Sequence, residues 1–213
     1  MRQKVQYMEH KNALKNRVPR PIGWSTRRDC AVVIPLILEQ DNCFVLFERR
    51  AGSLKVQPGE ICFPGGSMES GESPQETALR ELSEELLVKP EQAEIVMVCD
   101  YLEIPAGFTI YPFLAEIKDY QGTFSADETE EIIKIPFQWF FDHEPLCCMA
   151  KILTVPEEPF PYEMIPQGKE YRWREGCYDV MFYQYQDLII WGMTAKMMKS
   201  CVDILREEGI VYG

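Results

Sequence analysis

Between Gly66 and Val88 the chain gathers carboxylates at a spacing that can do chemistry: Glu72, then Glu81, Glu84 and Glu85 behind Arg80. At about 100° per residue a helix puts Glu81, Glu84 and Glu85 on adjoining directions, while Ala78, Leu79, Leu82 and Leu86 fall on another face. Such a face is not free. Glu81 and Glu85 are an i,i+4 like-charge pair and Glu81 and Glu84 an i,i+3 pair, and each weakens an isolated helix by a few tenths of a kcal/mol, about 0.2–0.5. Arg80 eases the repulsion and stands at i,i+4 to both Glu76 and Glu84. Clustered carboxylates supply the oxygen ligands that hard divalent cations take. The bland reading of such a helix is a solvated acidic face. The spacing back to Glu72 and to the Gly65-Gly66 turn, whose carbonyls could reach the same cation, favours the metal.

The elements that must position these groups are legible nearby. Ser73-Pro74-Gln75-Glu76 spells a helix start: Ser73 as N-cap, Pro74 at N1 and Glu76 closing a capping box. The spacing predicts a helix over 74–87, with Pro90 forbidding much more. Residues 51–72 hold five of the 13 glycines, so the backbone there must bend or approach something closely. Upstream, Ala31 to Leu38 is an apolar, β-branched run that reads as a buried strand, Asp41-Asn42 as its turn and Cys43 to Phe47 as the returning strand. Ile95 to Ile104, Thr109 to Ile117, Glu131 to Ile135, Tyr178 to Tyr183 and Leu188 to Trp191 read as further strands. A short helix is expected over 137–142, with Trp139, Phe140 and Phe141 as core, and a last helix over 194–208 with Thr194 as a cap-like residue. Residues 1–29 read as a lead-in arm with a short helix near 6–16, and the four prolines between 155 and 166 as an irregular connection. Strands flanking two good helices, without strict βαβ alternation, argue a mixed α+β architecture in one domain over 30–213.

Composition narrows the function. The chain of 213 residues has 22 Lys+Arg against 34 Asp+Glu, a net charge of −12. That field disfavours a nucleic-acid backbone and an anionic membrane surface, yet admits a phosphorylated small molecule where a divalent cation reverses the local field. Eight cysteines without a CxxC pair read as reduced thiols of a cytoplasmic protein. With only His10 and His143 as imidazoles, a zinc site is not expected. The first residues lead into no apolar signal segment, and no apolar stretch reaches the length of a membrane span.

Taken together, Gly66, Glu72, Arg80, Glu81, Leu82, Glu84, Glu85 and Val88 resemble the signature box of the Nudix hydrolases, with Leu87 standing where that box has a late glycine. The resemblance implies an α/β/α sandwich around a mixed sheet and hydrolysis of a nucleoside diphosphate linked to another moiety. It implies Glu81, Glu84 and Glu85 as ligands of Mg²⁺ or Mn²⁺, Glu72 and Gly66 as supporting groups, and Arg80 as the residue that orients the glutamates. The catalytic base stays open among Glu84, Glu130 and Glu131. A second stretch narrows the branch. Leu46, Arg50, Ala51, Gly59, Phe63, Pro64, Gly65 and Gly66 are similar to the motif of coenzyme A pyrophosphatases, with Phe47, Glu48 and Lys55 at positions where that motif has leucine, threonine and arginine. Ile190-Trp191-Gly192-Met193-Thr194-Ala195 and the Ala106 to Phe113 segment resemble the same branch. This implies substrate contacts at Arg50, Lys55, Gly59, Phe63 and Gly65, a coenzyme A-like nucleotide as substrate, and a homodimer as the family habit. ADP-ribose, a dinucleotide or a damaged nucleotide are the rival substrates, and a non-catalytic nucleotide sensor the rival class.

Overall fold

The computed structural model describes residues 27–40 and 42–210. The helix expected near 6–16 and Asp41 lie outside these residues. The strand expected at Ala31 starts earlier, as β1 (Arg28–Glu39), and returns as β2 (Asn42–Arg50). The glycine-rich stretch holds two short strands, β3 (Ile61–Cys62) and β4 (Gly65–Ser67). After helix α1 (Pro74–Leu86) come β5 (Ala93–Val98), β6 (Leu102–Ile104) and β7 (Phe108–Ile117). β8 (Thr129–Pro136) leads into α2 (Phe137–Asp142). The chain finishes with β9 (Leu146–Ile152), β10 (Gly176–Tyr185), β11 (Leu188–Trp191) and α3 (Gly192–Glu207).

β3, β2, β1, β7 and β5 lie side by side in one sheet, with β4 on β1, β6 on β7 and β8 on β2. β1 and β7 run parallel, Val33 opposite Phe113, whereas β1 and β2 run antiparallel, Leu36 opposite Val45. The sheet is therefore mixed, as expected. β11, β10 and β9 form a second, three-stranded sheet.

Strand alternation divides the core into two layers. Ala31, Val33, Ile37 and Leu46 face Ala78, Leu82 and Leu86 of α1. Ile34, Leu36, Val45 and Phe47 face the other way, toward Phe137 and Phe140 of α2 and Met198, Cys201 and Val202 of α3. The result is an α+β fold in which helices cover both faces of a mixed sheet, the α/β/α sandwich. Phe140 is in the core as expected, with Trp139 and Phe141 packed partly buried against it.

Some local expectations change. Ile95 to Ile104 is two strands, not one, because residues 99–101 break the ladder between β5 and β6. β9 has no counterpart in the sequence reading. Leu146 to Met149 are all exposed on a strand with β10 as its neighbour, so neither alternation nor burial leaves a pattern to read. α3 opens at Gly192 with Trp191 as N-cap and no side-chain cap bond, so Thr194 is no cap; it is buried inside the first turn.

Candidate active site around the helix carboxylates

α1 starts as its sequence dictates. The Ser73 hydroxyl accepts from the Glu76 amide, and Glu76 Oε2 accepts from the Ser73 amide at 2.8 Å. This occupies Glu76, so the i,i+4 partnership with Arg80 does not form as the spacing suggested. Arg80 instead gathers the other carboxylates. Its Nε donates to Glu72 Oε1 at 2.7 Å, and its Nη1 donates to Glu81 Oε1 at 2.8 Å and Glu84 Oε2 at 3.2 Å. Nη2 reaches Glu72 Oε2 and the Ser67 carbonyl, tying α1 to β4. A planar guanidinium serves this many oxygens at once because its donors are fixed in a fork, which an ammonium lacks.

Glu72 is held further by the Thr77 hydroxyl at 2.7 Å and the Glu69 amide at 2.9 Å. Arg80, these bonds and the adjacent positive charge lower its pKa to about 2. Glu85 faces inward, 4% exposed, and its Oε2 accepts from the Gly65 amide at 2.7 Å. Burial first, then the charge of Glu48, raises it to about 9. Burial also raises Glu81, against the pull of Arg80.

The two glycines are small because of close approach. A Cβ on Gly65 would lie 2.6 Å from Val32 Cγ1 and 2.7 Å from Val32 Cα, a collision with the neighbouring strand. A Cβ on Gly66 would strike the Glu81 carboxylate, 2.5 Å from its Cδ. The expected Gly65-Gly66 turn is instead strand β4, paired with β1 and packed directly under the helix carboxylates. The helix ends one residue early, with Leu87 at φ 54°, ψ 36°. That is the left-handed conformation a glycine takes without penalty, so this chain accepts strain of about 1–2 kcal/mol where the box has glycine.

The remaining expected contacts spread around this centre. Arg50 is half-buried, its Nε donating to the Val56 carbonyl at 3.4 Å, and Lys55 is exposed on the same loop. The Gly59 amide donates to the Arg50 carbonyl at 3.0 Å, closing that loop. The Phe63 ring is buried and stacked on Phe47 at 4.8 Å, so it supports the loop from the core side rather than facing solvent. Glu131 is paired with Arg49 at 2.6 Å, and Glu130 is exposed.

Two acidic residues join the site that the spacing did not single out. Glu48 of β2 is 3% exposed; its Oε2 accepts from the Thr129 hydroxyl at 3.1 Å, and its Oε1 is buried with no hydrogen-bond partner among the described residues. Burial first, with Glu128 adding to it, raises Glu48 to about 7. Glu128 precedes Thr129 on a loop pinned to the end of α1, where the Ser125 amide donates to the Glu85 carbonyl at 2.7 Å and Thr123 Oγ1 to the Leu86 carbonyl at 2.7 Å. A signal for Glu48 did exist, a charge closing the apolar run of β2; Glu128 carried none.

Among the described residues no three carboxylate, thiol or imidazole side chains converge as a cage. Glu72, Glu81 and Glu84 are drawn onto Arg80 and Glu85 onto the Gly65 amide, so rotations about side-chain bonds would be required to aim their oxygens at one ion. The chemistry of the donor set still fits a hard divalent cation. The donors are all oxygens, Glu85 and Glu48 are neighbouring buried carboxyls, and among the described residues one Glu48 oxygen has no hydrogen-bond partner.

Comparison with known proteins shows the family of the chain. The sequence profile of the NUDIX domain matches residues 26–165. The chain is 30% identical over 190 residues to "Peroxisomal coenzyme A diphosphatase NUDT7" of Mus musculus, covering 85% of this chain and 72% of that protein. It is 31% identical over 184 residues to "Nudix hydrolase 3" of Caenorhabditis elegans, covering 84% and 73%. It is 27% identical over 176 residues to "Uncharacterized Nudix hydrolase NudL" of Enterobacter sp. (strain 638), covering 82% and 81%. Among solved structures, a MutT/nudix family protein from Enterococcus faecalis superposes with a TM-score of 0.51 at 14% identity, covering 96% of this chain and 74% of that one; it speaks for the fold alone. The chain belongs to the Nudix family, and with it to the pyrophosphatase hydrolases. Divalent-metal dependence is general in that family. Among the described residues no helix is long and apolar enough to cross a membrane.

Proposed function

We propose that this enzyme hydrolyses the pyrophosphate bond of coenzyme A or its derivatives, releasing 3′,5′-ADP and 4′-phosphopantetheine. The observation that carries the reading is the meeting of two motifs. The Gly65 amide of the upstream stretch holds Glu85 of the helix, and Gly66 packs on Glu81, so a diphosphate over the carboxylates would lie beside the Arg50–Gly59 loop. Arg50 and Lys55 there offer cations to a substrate phosphate in an otherwise acidic chain. The likeness to the mouse coenzyme A diphosphatase supports the same substrate.

In this reading Glu81, Glu84 and Glu85 hold Mg²⁺ or Mn²⁺, with Glu72 and the Gly66 carbonyl in support. The cation supplies charge neutralisation on the phosphoryl oxygens and an activated water. Arg80 orients Glu72, Glu81 and Glu84 and keeps their mutual repulsion in check. Of the base candidates, Glu131 is paired with Arg49 at 2.6 Å, Glu84 has a side chain 59% exposed and a longer bond from Arg80 at 3.2 Å, and Glu130 is exposed, so the base stays between Glu84 and Glu130. The eight free thiols suit a reducing compartment, which supports a cytoplasmic enzyme, and a homodimer is proposed on the family resemblance alone.

Product analysis after incubation with coenzyme A and Mg²⁺, beside a parallel reaction on ADP-ribose, tests the reading. Rapid release of 3′,5′-ADP without AMP from ADP-ribose is expected. AMP from ADP-ribose alone would leave the hydrolase and overturn the substrate. Tight nucleotide binding with no metal-dependent turnover of either would replace the enzyme by a sensor.

A further inference from the structure

Glu48 is the acidic residue that the helix motif does not explain. It follows Val45, Leu46 and Phe47 on β2, all fully or almost fully buried. Strand alternation assigns it to the face of Phe44 and Leu46, the face covered by α1, where Leu82, Leu86 and Glu85 lie. An apolar side chain would satisfy that packing position, and the related motif places a threonine there. A carboxylate is costly in such a place unless something compensates it. Thr129 serves only Oε2, and among the described residues Oε1 has no hydrogen-bond partner. No salt bridge engages Glu48 among the described residues: Arg49 is turned to Glu131 and the Gly59 carbonyl, and Arg50 to the Val56 carbonyl.

Four segments converge on this spot. β2 supplies Glu48, α1 supplies Glu85, the loop pinned to the end of α1 supplies Glu128, and the first residue of β8 supplies the Thr129 hydroxyl. Hydrogen bonds join Glu48 to α1: the Thr129 hydroxyl donates to Glu48 Oε2, the Thr129 amide donates to the Ser125 carbonyl at 2.9 Å, and the Ser125 amide donates to the Glu85 carbonyl at 2.7 Å. A buried, unpartnered carboxylate oxygen beside a second buried carboxylate is an arrangement that a cation relieves and an apolar ligand does not.

We propose that Glu48 is a further carboxylate of the cation site, contributed by β2 from outside the helix motif, so that the cation held by Glu81 and Glu85 is also drawn toward the sheet. The proposal rests on the reading of the helix carboxylates as the metal site. It makes this chain's site more negative than one with threonine at position 48, and hence tighter for Mn²⁺ and more demanding of it.

Calorimetric titration of the full chain with MnCl₂ tests this in the wild type, Glu48→Gln, Glu48→Thr and Glu85→Gln. Thermal unfolding of each in EDTA establishes that the variant is folded. If Glu48 serves the cation, Glu48→Gln and Glu48→Thr weaken Mn²⁺ binding by at least about tenfold, as Glu85→Gln does, and the Mn²⁺-induced rise in Tm shrinks in parallel. Should Glu85→Gln weaken binding while both Glu48 variants match the wild type, Glu48 is only a buried neutral acid and the inference falls, with the helix site intact. Should no variant differ from the wild type, the helix carboxylates are not the metal site, and both readings fall together.

Discussion

Gly66→Ala separates the chemistry of the site from the stability of its scaffold. Gly66 pairs with Ala31 across β4 and β1, and its φ is not among the positive ones, so alanine can adopt the backbone. The added Cβ would lie 2.5 Å from Glu81 Cδ and 2.7 Å from its Oε2. Ordinary contact begins near 3.4 Å, so the carboxylate must retreat by about 0.9 Å. The bond from Arg80 Nη1, now 2.8 Å, opens with it. Losing one charge-assisted bond costs about 1.5–3 kcal/mol when buried and less here, where the Arg80 side chain is 24% exposed. Alanine regains about 0.5–1 kcal/mol of backbone entropy over glycine in a strand. The net is a loss of about 1 kcal/mol, a fall in Tm of about 2–4 °C for a chain of this size. Turnover is far more sensitive, since a misplacement of about 1 Å at a catalytic group costs about 10²-fold. Steady-state kinetics with saturating Mg²⁺ beside thermal unfolding should thus give a folded protein with kcat down by about two orders of magnitude. Gly65→Ala, whose Cβ meets backbone atoms of the next strand, is the contrast and should not fold to the native state. A folded Gly66→Ala enzyme with kcat within about threefold of the wild type would refute the placement of Glu81 in the reaction.

Further predictions concern the helix and the buried acids. Burial holds Glu48 at about 7 and Glu85 at about 9, above their ordinary 4.5, so the stability their bound protons provide is complete below pH 4.5 and is lost as pH rises toward 9. In EDTA, Glu48→Gln should therefore gain on the wild type between pH 5 and pH 8.5 by about 1–3 kcal/mol in urea unfolding; a pH-independent difference would contradict the burial of a titrating Glu48. Ser73→Ala removes the cap and half of the capping box, and chemical unfolding should show a loss of about 1 kcal/mol with kcat nearly unchanged. Leu87→Gly relieves the left-handed residue at the end of α1, whose side chain is 56% exposed, and should cost no stability, whereas the β-branched Leu87→Ile should lower Tm.

Much of the site was readable because its determinants are local. Ser73, Pro74 and Glu76 are sufficient to start α1, and a 3.6-residue period then assigns Leu82 and Leu86 to the core and Glu81, Glu84 and Glu85 to the site. The run at β1 announced a buried strand by its branched apolar residues alone. Where the signal is not local, the sequence reading missed. β9 exposes its side chains and shows no period. Glu76 has both Ser73 and Arg80 within helical reach, and the capping box that the sequence spells is the pairing that forms.

The sequence by itself determined the inventory of the site: an arginine among spaced glutamates, two adjacent glycines, and the frame of a helix following strands. Only the tertiary structure decided which of these groups meet. Arg80 leaves its helical neighbour Glu76 for Glu72 and the Ser67 carbonyl, because β4 lies beside α1. Gly65 is a glycine because Val32 stands against it, and Gly66 because Glu81 does. Glu48 and Glu85, 37 residues apart in the chain, come near each other because β2 and α1 share one layer of the core. Charge repulsion and close packing act through space, between residues whose separation along the chain carries no trace of it.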